Sequence, residues 1–334
     1  MEEDFDWLVI GAGPAGIAAV GKLLDYGVGP KQIAWVDPEF RVGDLGAKWQ
    51  NVPGNTKIEL FLRYLRASPS FEYTGSYPIE RIDPQETCLL KEIYTPLQDV
   101  TSRLRGKVFA FAGTVRSVRQ ERNGWVAEMG ERELFSKKVI AAIGAEPKRL
   151  EIDAVPLECA LDPERLKKEI EPGDVVGVFG SSHSAVLVLA NLMGTCVEKV
   201  YNFYRSEHRY AVYQDGWILY DDIGLKGFAA KWAKEHLDGA LPRRLHRCLI
   251  ADPLFEKCLA LCNKVVYAIG FEARPLIQGS HCKESGKIAP GLFGCGIAFP
   301  QVRIDPAGNQ VERIGLWKFM DDLDRLIPLW VEAL

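Results

Sequence analysis

The apolar positions of this chain change their period several times, and each change marks an element. Trp7 to Ile10 is a continuous apolar run, the pattern of a strand buried on both faces of a parallel sheet. Gly11-Ala-Gly-Pro-Ala-Gly16 interrupts it, and apolar and small residues then recur at helical spacing through Val20. "QIAWVD", residues 32–37, predicts the next strand. The same order returns in "DVVGVFGSSHSAVLVLANLM", Asp174 to Met193, and a strand "KVYNFY" follows from Lys199. Two more strands, "KKVIAAIGAEP" (137–147) and "NKVVYAIGFEARP" (263–275), share Ala-Ile-Gly with a proline soon after. They read as two crossing points where the chain passes between domains. Residues 106–136 alternate apolar and polar and contain Asn123-Gly124, a hairpin signal.

These patterns predict an α/β fold with two Rossmann-like domains, the first interrupted by the second, and a small antiparallel sheet. The first domain is expected over 1–150 plus 275–334, and the second over 151–274. A length of 334 residues suits two domains, and 47% hydrophobic residues can fill both cores.

Each strand–turn–helix unit has the chemistry of an anion site. The first amides of a helix lack partners within it, and the helix dipole favours negative charge. A pyrophosphate at that position is held by backbone N–H groups. Gly11 permits the turn, Gly13 leaves room for a phosphate, and Gly16 lets the helix approach its strand. Asp37 stands about 20 residues beyond Gly16, where a carboxylate meets ribose hydroxyls. An ordinary turn with a surface aspartate is the alternative. In the second unit the turn is Gly180-Ser181-Ser182-His183-Ser184-Ala185, with serine in place of the second glycine. Its strand ends in Arg205, Ser206, His208 and Arg209, with no carboxylate in the place where Asp37 stands in the first unit. A guanidinium there can hold a 2′-phosphate, so the first unit is expected to take a bare ribose and the second a phosphorylated one. A solvated strand end is the plainer account of that basic cluster.

Net charge narrows the partners. At −4, the chain has no general attraction for nucleic acid or anionic membrane. The acidic start "MEEDFDW" lacks the pattern of an export signal, and no uncharged apolar run reaches the ~18 residues of a membrane span. A cytoplasmic protein with a small-molecule substrate is expected, with a homodimer as one possible assembly. The eight cysteines are expected to be free thiols. Cys258 and Cys262 fall on one face of a predicted helix, and His246, Cys248, Cys258 and Cys262 match no zinc spacing, so no metal site is expected.

These residues resemble the two-dinucleotide-binding-domain flavoproteins. Gly11 to Gly16 matches the FAD turn, Gly180 to Ala185 the NADPH turn, and the two Ala-Ile-Gly strands the crossovers. The thioredoxin-reductase-like branch uses Cys-x-x-Cys, which is absent here; the length, however, is as compact as that group's. The flavin-containing monooxygenase branch fits better. "GDLGAKWQNVPGNTKIELF" supplies Gly46, Trp49 and Asn55-Thr56-Lys57, "YAIGFEARP" resembles that branch's second crossover, and "APGLFGCGIAFPQ" resembles its return to the flavin. Ile297 follows Gly296 where the disulfide reductases carry an aspartate.

The resemblance implies FAD contacts from Gly11, Gly13, Pro14, Ala15, Gly16, Asp37, Pro38, Lys48, Trp49, Val115, Gly144, Gly296 and Ile297. It implies NADPH contacts from Gly180, Ser181, Ser182, His183, Ser184, Arg205 and Ser206. Asn55 is the implied catalytic residue, hydrogen-bonding near the flavin C4a edge and the nicotinamide. Just before a helix it could equally be an N-cap. The implied activity is NADPH-dependent oxygenation of a small nitrogen or sulfur nucleophile through a flavin C4a-hydroperoxide. An NADPH reductase serving a quinone, protein or oxygen, or a flavin-binding regulatory protein with little turnover, stays open beside it. The stretch 207–247, rich in aromatic and basic residues, fits no standard element and is expected to form a lid, an interface or local core.

Overall fold

The computed structural model describes residues 4–121, 123–277 and 279–332. Its first unit follows the apolar pattern closely. β1 (Asp4–Ile10) turns into α1 (Pro14–Asp25), and β2 (Ile33–Asp37) lies parallel to β1 with Val9 opposite Trp35. A short helix α2 (Gly43–Ala47), the strand β3 (Pro53–Lys57) and the helix α3 (Ile58–Arg66) follow. Then come β4 (Thr87–Leu89), which pairs with β3, α4 (Lys91–Lys107) and β5 (Phe109–Ala112). β6 (Ser117–Glu121) and β7 (Gly124–Met129) form the hairpin expected at Asn123-Gly124, and β7 continues onto β8 (Arg132–Ala141).

β9 (Ala145–Pro147) leaves this unit. Two short helices, α5 (Leu157–Ala160) and α6 (Pro163–Glu169), lead into β10 (Val175–Phe179), α7 (His183–Met193) and β11 (Lys199–Tyr204). The stretch 207–247 then holds a small hairpin, β12 (Val212–Tyr213) with β13 (Ile218–Leu219), and the helix α8 (Gly227–His236). It runs on into β14 (Leu245–Leu249), parallel to β11, so its end is a standard edge strand after all. α9 (Phe255–Ala260) and β15 (Lys264–Tyr267) complete the second sheet. Cys262 lies beyond the end of α9, not on it with Cys258 as the spacing predicted.

The chain returns through β16 (Phe271–Ala273), which pairs antiparallel with β9, Ala145 opposite Ala273. The two predicted crossing points are thus neighbouring strands. β17 (Lys287–Ala289) and β18 (Leu292–Gly294) rejoin the first sheet beside β8, and a hairpin of β19 (Gln301–Ile304) and β20 (Gln310–Arg313) precedes α10 (Leu316–Glu332). The first sheet has the order β17-β18-β8-β1-β2-β5 and the second β14-β11-β10-β15. The fold is α/β with two dinucleotide-binding units, the first interrupted by the second. None of the described helices is long and apolar enough to cross a membrane.

Hydrophobic burial explains why the units stand where they do. Trp7, Val9, Ile17, Val20, Leu23, Ile33 and Trp35 pack between β1, β2 and α1, all at most 3% exposed. Val176, Val178, Val186, Leu189 and Val200 form the corresponding core of the second unit. Val52 and Trp49 from the first unit join that second core, which fixes the segment before β3 against the interrupting domain.

Candidate functional site

Both turns are built by the same three contacts. A Cβ on Gly11 would lie 2.3 Å from the Ala142 carbonyl, and one on Gly180 would lie 2.3 Å from the Ala268 carbonyl. Each alanine begins an Ala-Ile-Gly crossover, so the crossover seats the turn. Gly11 N–H donates to Val36 O, and Gly180 N–H to Phe203 O, at 2.8 Å in both. Gly11 O accepts from the Trp35 indole at 2.9 Å, and Gly180 O from the Asn202 amide at 2.7 Å. In this register Tyr204 occupies the place of Asp37, and Arg205 follows where Pro38 stands.

The first turn shows what each glycine is for. A Cβ on Gly16 would sit 1.9 Å from Gly11 O, so helix and turn touch there. A Cβ on Gly13 would meet nothing within 4 Å, so the space before the α1 amides is open to a phosphate. Pro14 opens the helix, and its carbonyl accepts from the fully buried Tyr64 at 2.6 Å. Burial, then the neighbouring Cys295, raises the Tyr64 phenol well above its ordinary pKa, so it stays a donor. Val42 and Phe40 hold left-handed φ of 60° and 53° in the loop before α2. Such a conformation costs a β-branched residue about 1–3 kcal/mol, a cost typical of binding sites. A Cβ on the adjoining Gly43 would lie 3.0 Å from Gly13 Cα, so this strained loop presses directly on the turn.

Asp37 is 6% exposed and engaged by backbone amides. Oδ2 accepts from Ala12 N–H at 2.7 Å, and Oδ1 from Glu39 and Phe40 N–H at 2.9 and 2.6 Å. A carboxylate accepts about four hydrogen bonds, so roughly one acceptor site is left for a ribose. Asp37 therefore staples the turn to the strand end, a role its sequence position did not announce. Pro38 is exposed, and Val115 is buried close by, where Gly113 N–H donates to Asp37 O at 3.1 Å.

Lys48 and Trp49 reach the turn indirectly. Lys48 Nζ lies 3.4 Å from Asp44, which also binds Arg274 at 2.6 Å. Arg274 donates to Ile143 O at 2.8 Å, and its guanidinium lies 2.8 Å from where a Gly144 Cβ would stand. Gly144, at φ 72°, is thus glycine for both reasons. Trp49 meets Phe271 of β16 edge to face at 6.3 Å. A Cβ on Gly296, at φ 80°, would lie 2.7 Å from Ala15 Cβ, and the half-buried Ile297 follows it. Arg274, Asp44, Tyr64 and Trp35 were missed by sequence reasoning. Only Arg274 left a trace, as the cation closing "FEARP" beside the crossover.

In the second turn Ser182 is the N-cap residue of α7, and Ser181 and Ser184 flank it, half-buried. Arg205 and Ser206 are exposed at the end of β11. Arg247 of β14 lies over the Tyr204 ring at 4.2 Å and pairs with Glu207 at 2.7 Å. The strand-end basic group is thus two arginines from neighbouring strands, with Arg205 the exposed one.

Asn55 is not an N-cap. It is exposed within β3, and Lys57 holds the cap position of α3. Pairing with β4 keeps the backbone extended until Lys57. β3 faces the second unit: a Cβ on Gly227 of α8 would lie 3.3 Å from Gly54 O. Around this contact the 207–247 stretch grips the first unit. Asp221 bridges the buried Lys226 and, at 2.6 Å, Lys318 of α10. Burial pushes the Asp221 carboxyl up, but the two ammonium groups outweigh it and hold it below the usual range. Lys57 lies 4.6 Å over the Tyr213 ring, and Asp222 accepts from Glu312 N–H at 3.2 Å. The stretch is a clamp between units.

Against known proteins, the chain is 31% identical to the monooxygenase AgnR1 of Paecilomyces divaricatus, over 98% of each chain. The chain belongs to the monooxygenase-like flavoproteins with two dinucleotide-binding domains. No family model matches it. The fold agrees with the flavin-containing monooxygenase from Stenotrophomonas maltophilia, at a TM-score of 0.66 and 14% identity over 99% of each chain. It agrees also with Lactococcus lactis thioredoxin reductase, at a TM-score of 0.58 and 15% identity over 98% of each. This flavoprotein is accordingly an oxidoreductase that works with a flavin. The glycine cradle at Gly11, Gly13 and Gly16 fits such a nucleotide.

Proposed function

We propose that this flavoprotein is an NADPH-dependent FAD monooxygenase acting on a small nucleophilic substrate, through nitrogen or sulfur. Residues 1–150 with 275–334 would bind FAD, and residues 151–274 NADPH. One observation carries the reading: the unit that holds the second nucleotide turn lies against the strand that bears Asn55, where Gly227 of α8 closes on Gly54. A nicotinamide leaving that turn would be delivered beside Asn55. Bound FAD supplies the chemistry of accepting a hydride and activating oxygen. The α1 amides would hold the pyrophosphate and the two turns would orient both nucleotides, with the clamp packed on β3 beside Asn55. Asn55, with an amide that both donates and accepts, would steady the reacting edges.

NADPH preference rests on Arg205. Losing a charge-assisted contact with a phosphate costs about 1.5–3 kcal/mol, or ~10- to 150-fold in affinity. Arg205→Ala is expected to weaken NADPH by that factor and leave NADH nearly unchanged in parallel titrations. Equal weakening of both would remove the preference.

Asn55→Ser tests oxygenation. With the capping role absent, the variant is expected to fold, hold FAD and oxidise NADPH, but to release more hydrogen peroxide per NADPH than the parent. Stopped-flow mixing of the NADPH-reduced parent with oxygen provides the second arm. A parent that yields only peroxide, or passes its electrons to an added quinone, is a reductase.

A further inference from the structure

The tip of β11 meets a carboxylate that its place in the sequence does not reveal. Both turns hang on their strands alike, so Asn202 stands where Trp35 does and Tyr204 where Asp37 does. In the first sheet Trp35 lies opposite Ala110 of β5, and in the second Asn202 lies opposite Arg247 of β14. Opposed residues share a face of a sheet, as do residues two apart on one strand. Asn202, Tyr204 and Arg247 therefore share the face on which Asp37 meets the first turn. Arg247 stands where the first unit has alanine, and its guanidinium lies 4.2 Å over the Tyr204 ring. There Nη2 donates to Oε2 of Glu207 at 2.7 Å.

The two partners are held unequally. The Arg247 side chain is 16% exposed and steadied by the ring beneath it, whereas the Glu207 side chain is 63% exposed, with no second ion-pair partner among the described residues. Arg205, one residue beyond Tyr204, is exposed and has no ion-pair partner among the described residues. A fixed cation thus carries a loose carboxylate, beside a second cation that carries nothing. Carboxylate and phosphate fit the guanidinium fork in the same way, and an ion pair with so exposed a partner is weak enough to be given up. We propose that Glu207 is a built-in competitor of the coenzyme 2′-phosphate: it occupies Arg247 in the free protein, and NADPH displaces it to set the phosphate between Arg205 and Arg247. The proposal rests on the NADPH reading above and adds what limits its strength. NADH, with a bare 2′-hydroxyl, leaves the Glu207–Arg247 pair closed, so Glu207 narrows the gap between the two coenzymes.

The sign of one substitution tests this. Binding of NADP⁺ and NAD⁺, which differ only in the 2′-phosphate, is measured by calorimetry on the flavin-loaded proteins, with flavin occupancy and melting temperature as controls. Glu207→Gln is expected to tighten NADP⁺ about 2- to 5-fold and to leave NAD⁺ within about twofold of the parent. Arg247→Ala is expected to weaken NADP⁺ about tenfold or more, with NAD⁺ little changed. Added to Arg247→Ala, Glu207→Gln should move NADP⁺ by less than about twofold, because the carboxylate then has no guanidinium to occupy. A parent that binds NADP⁺ while Glu207→Gln leaves that affinity unchanged or lowers it overturns the competitor role alone. A gain that persists in full without Arg247 also overturns it, since Glu207 would then act only through its charge. A parent that binds neither nucleotide overturns the NADPH reading and this inference with it.

Discussion

Gly13→Val is expected to give a folded, colourless protein. A Cβ at Gly13 meets no atom within 4 Å, and its φ of −73° and ψ of 176° suit any L-residue. The backbone of the turn can therefore stay as it is, while the isopropyl group would take the space before the α1 amides where a pyrophosphate would rest. Two charge-assisted hydrogen bonds to phosphate, at about 1.5–3 kcal/mol each, amount to ~150-fold to 10⁴-fold in affinity. Circular dichroism should match the parent, with visible absorbance near zero after purification. Gly16→Val serves as contrast. Its Cβ would be driven into Gly11 O, 1.9 Å away, so it should fail to fold and not merely fail to bind. A yellow Gly13→Val protein with full flavin occupancy would move the flavin site away from this turn.

Asp37→Ala should produce the largest loss of stability among single side-chain truncations at the site. Three backbone amides end on this carboxylate, and removing it leaves them without their acceptor in a place only 6% exposed. Each stranded buried donor costs about 1–3 kcal/mol. Partial rescue by water brings the expected sum to about 3–5 kcal/mol. Asp37→Asn can keep Oδ1 on Glu39 and Phe40 but turns an N–H toward Ala12 N–H, and should lose about 2 kcal/mol. Urea unfolding of the flavin-stripped proteins separates this from lost flavin contacts. If both variants unfold with the parent and only flavin affinity falls, Asp37 acts on the ribose alone.

Asp37 shows where sequence reading reaches and where it stops. Its spacing from Gly16 pointed to the first glycine turn, and the structure puts it there, on Ala12 N–H. That most of its acceptor capacity is taken by the protein itself depends on how the 38–42 loop turns back, which has no sequence period. Asn55 went the other way. An asparagine before a helical pattern reads as a cap, but strand pairing with β4 holds the backbone extended through Lys57. The 207–247 stretch stayed unread because its hairpin strands have two residues each and α8 buries only Ala229 and Ala233, in the core of the second unit. Phe228, at 45% exposed, and Ile223, at 51%, carry no clean helical or strand period.

The sequence by itself determined the two strand–turn–helix units, the crossovers and the β6–β7 hairpin. Backbone sterics and burial on a local period dictate these, and Gly11, Gly16 and Gly180 are legible because a Cβ at any of them would collide with backbone. Only the tertiary structure decided the rest. Arg274 on Asp44, Tyr64 on Pro14 and Asp221 on Lys318 join residues far apart in the chain. Such contacts depend on tertiary packing, within a unit for Tyr64 on Pro14 and between units for Asp221 on Lys318, and a pattern with a period of two or 3.6 residues carries no record of that.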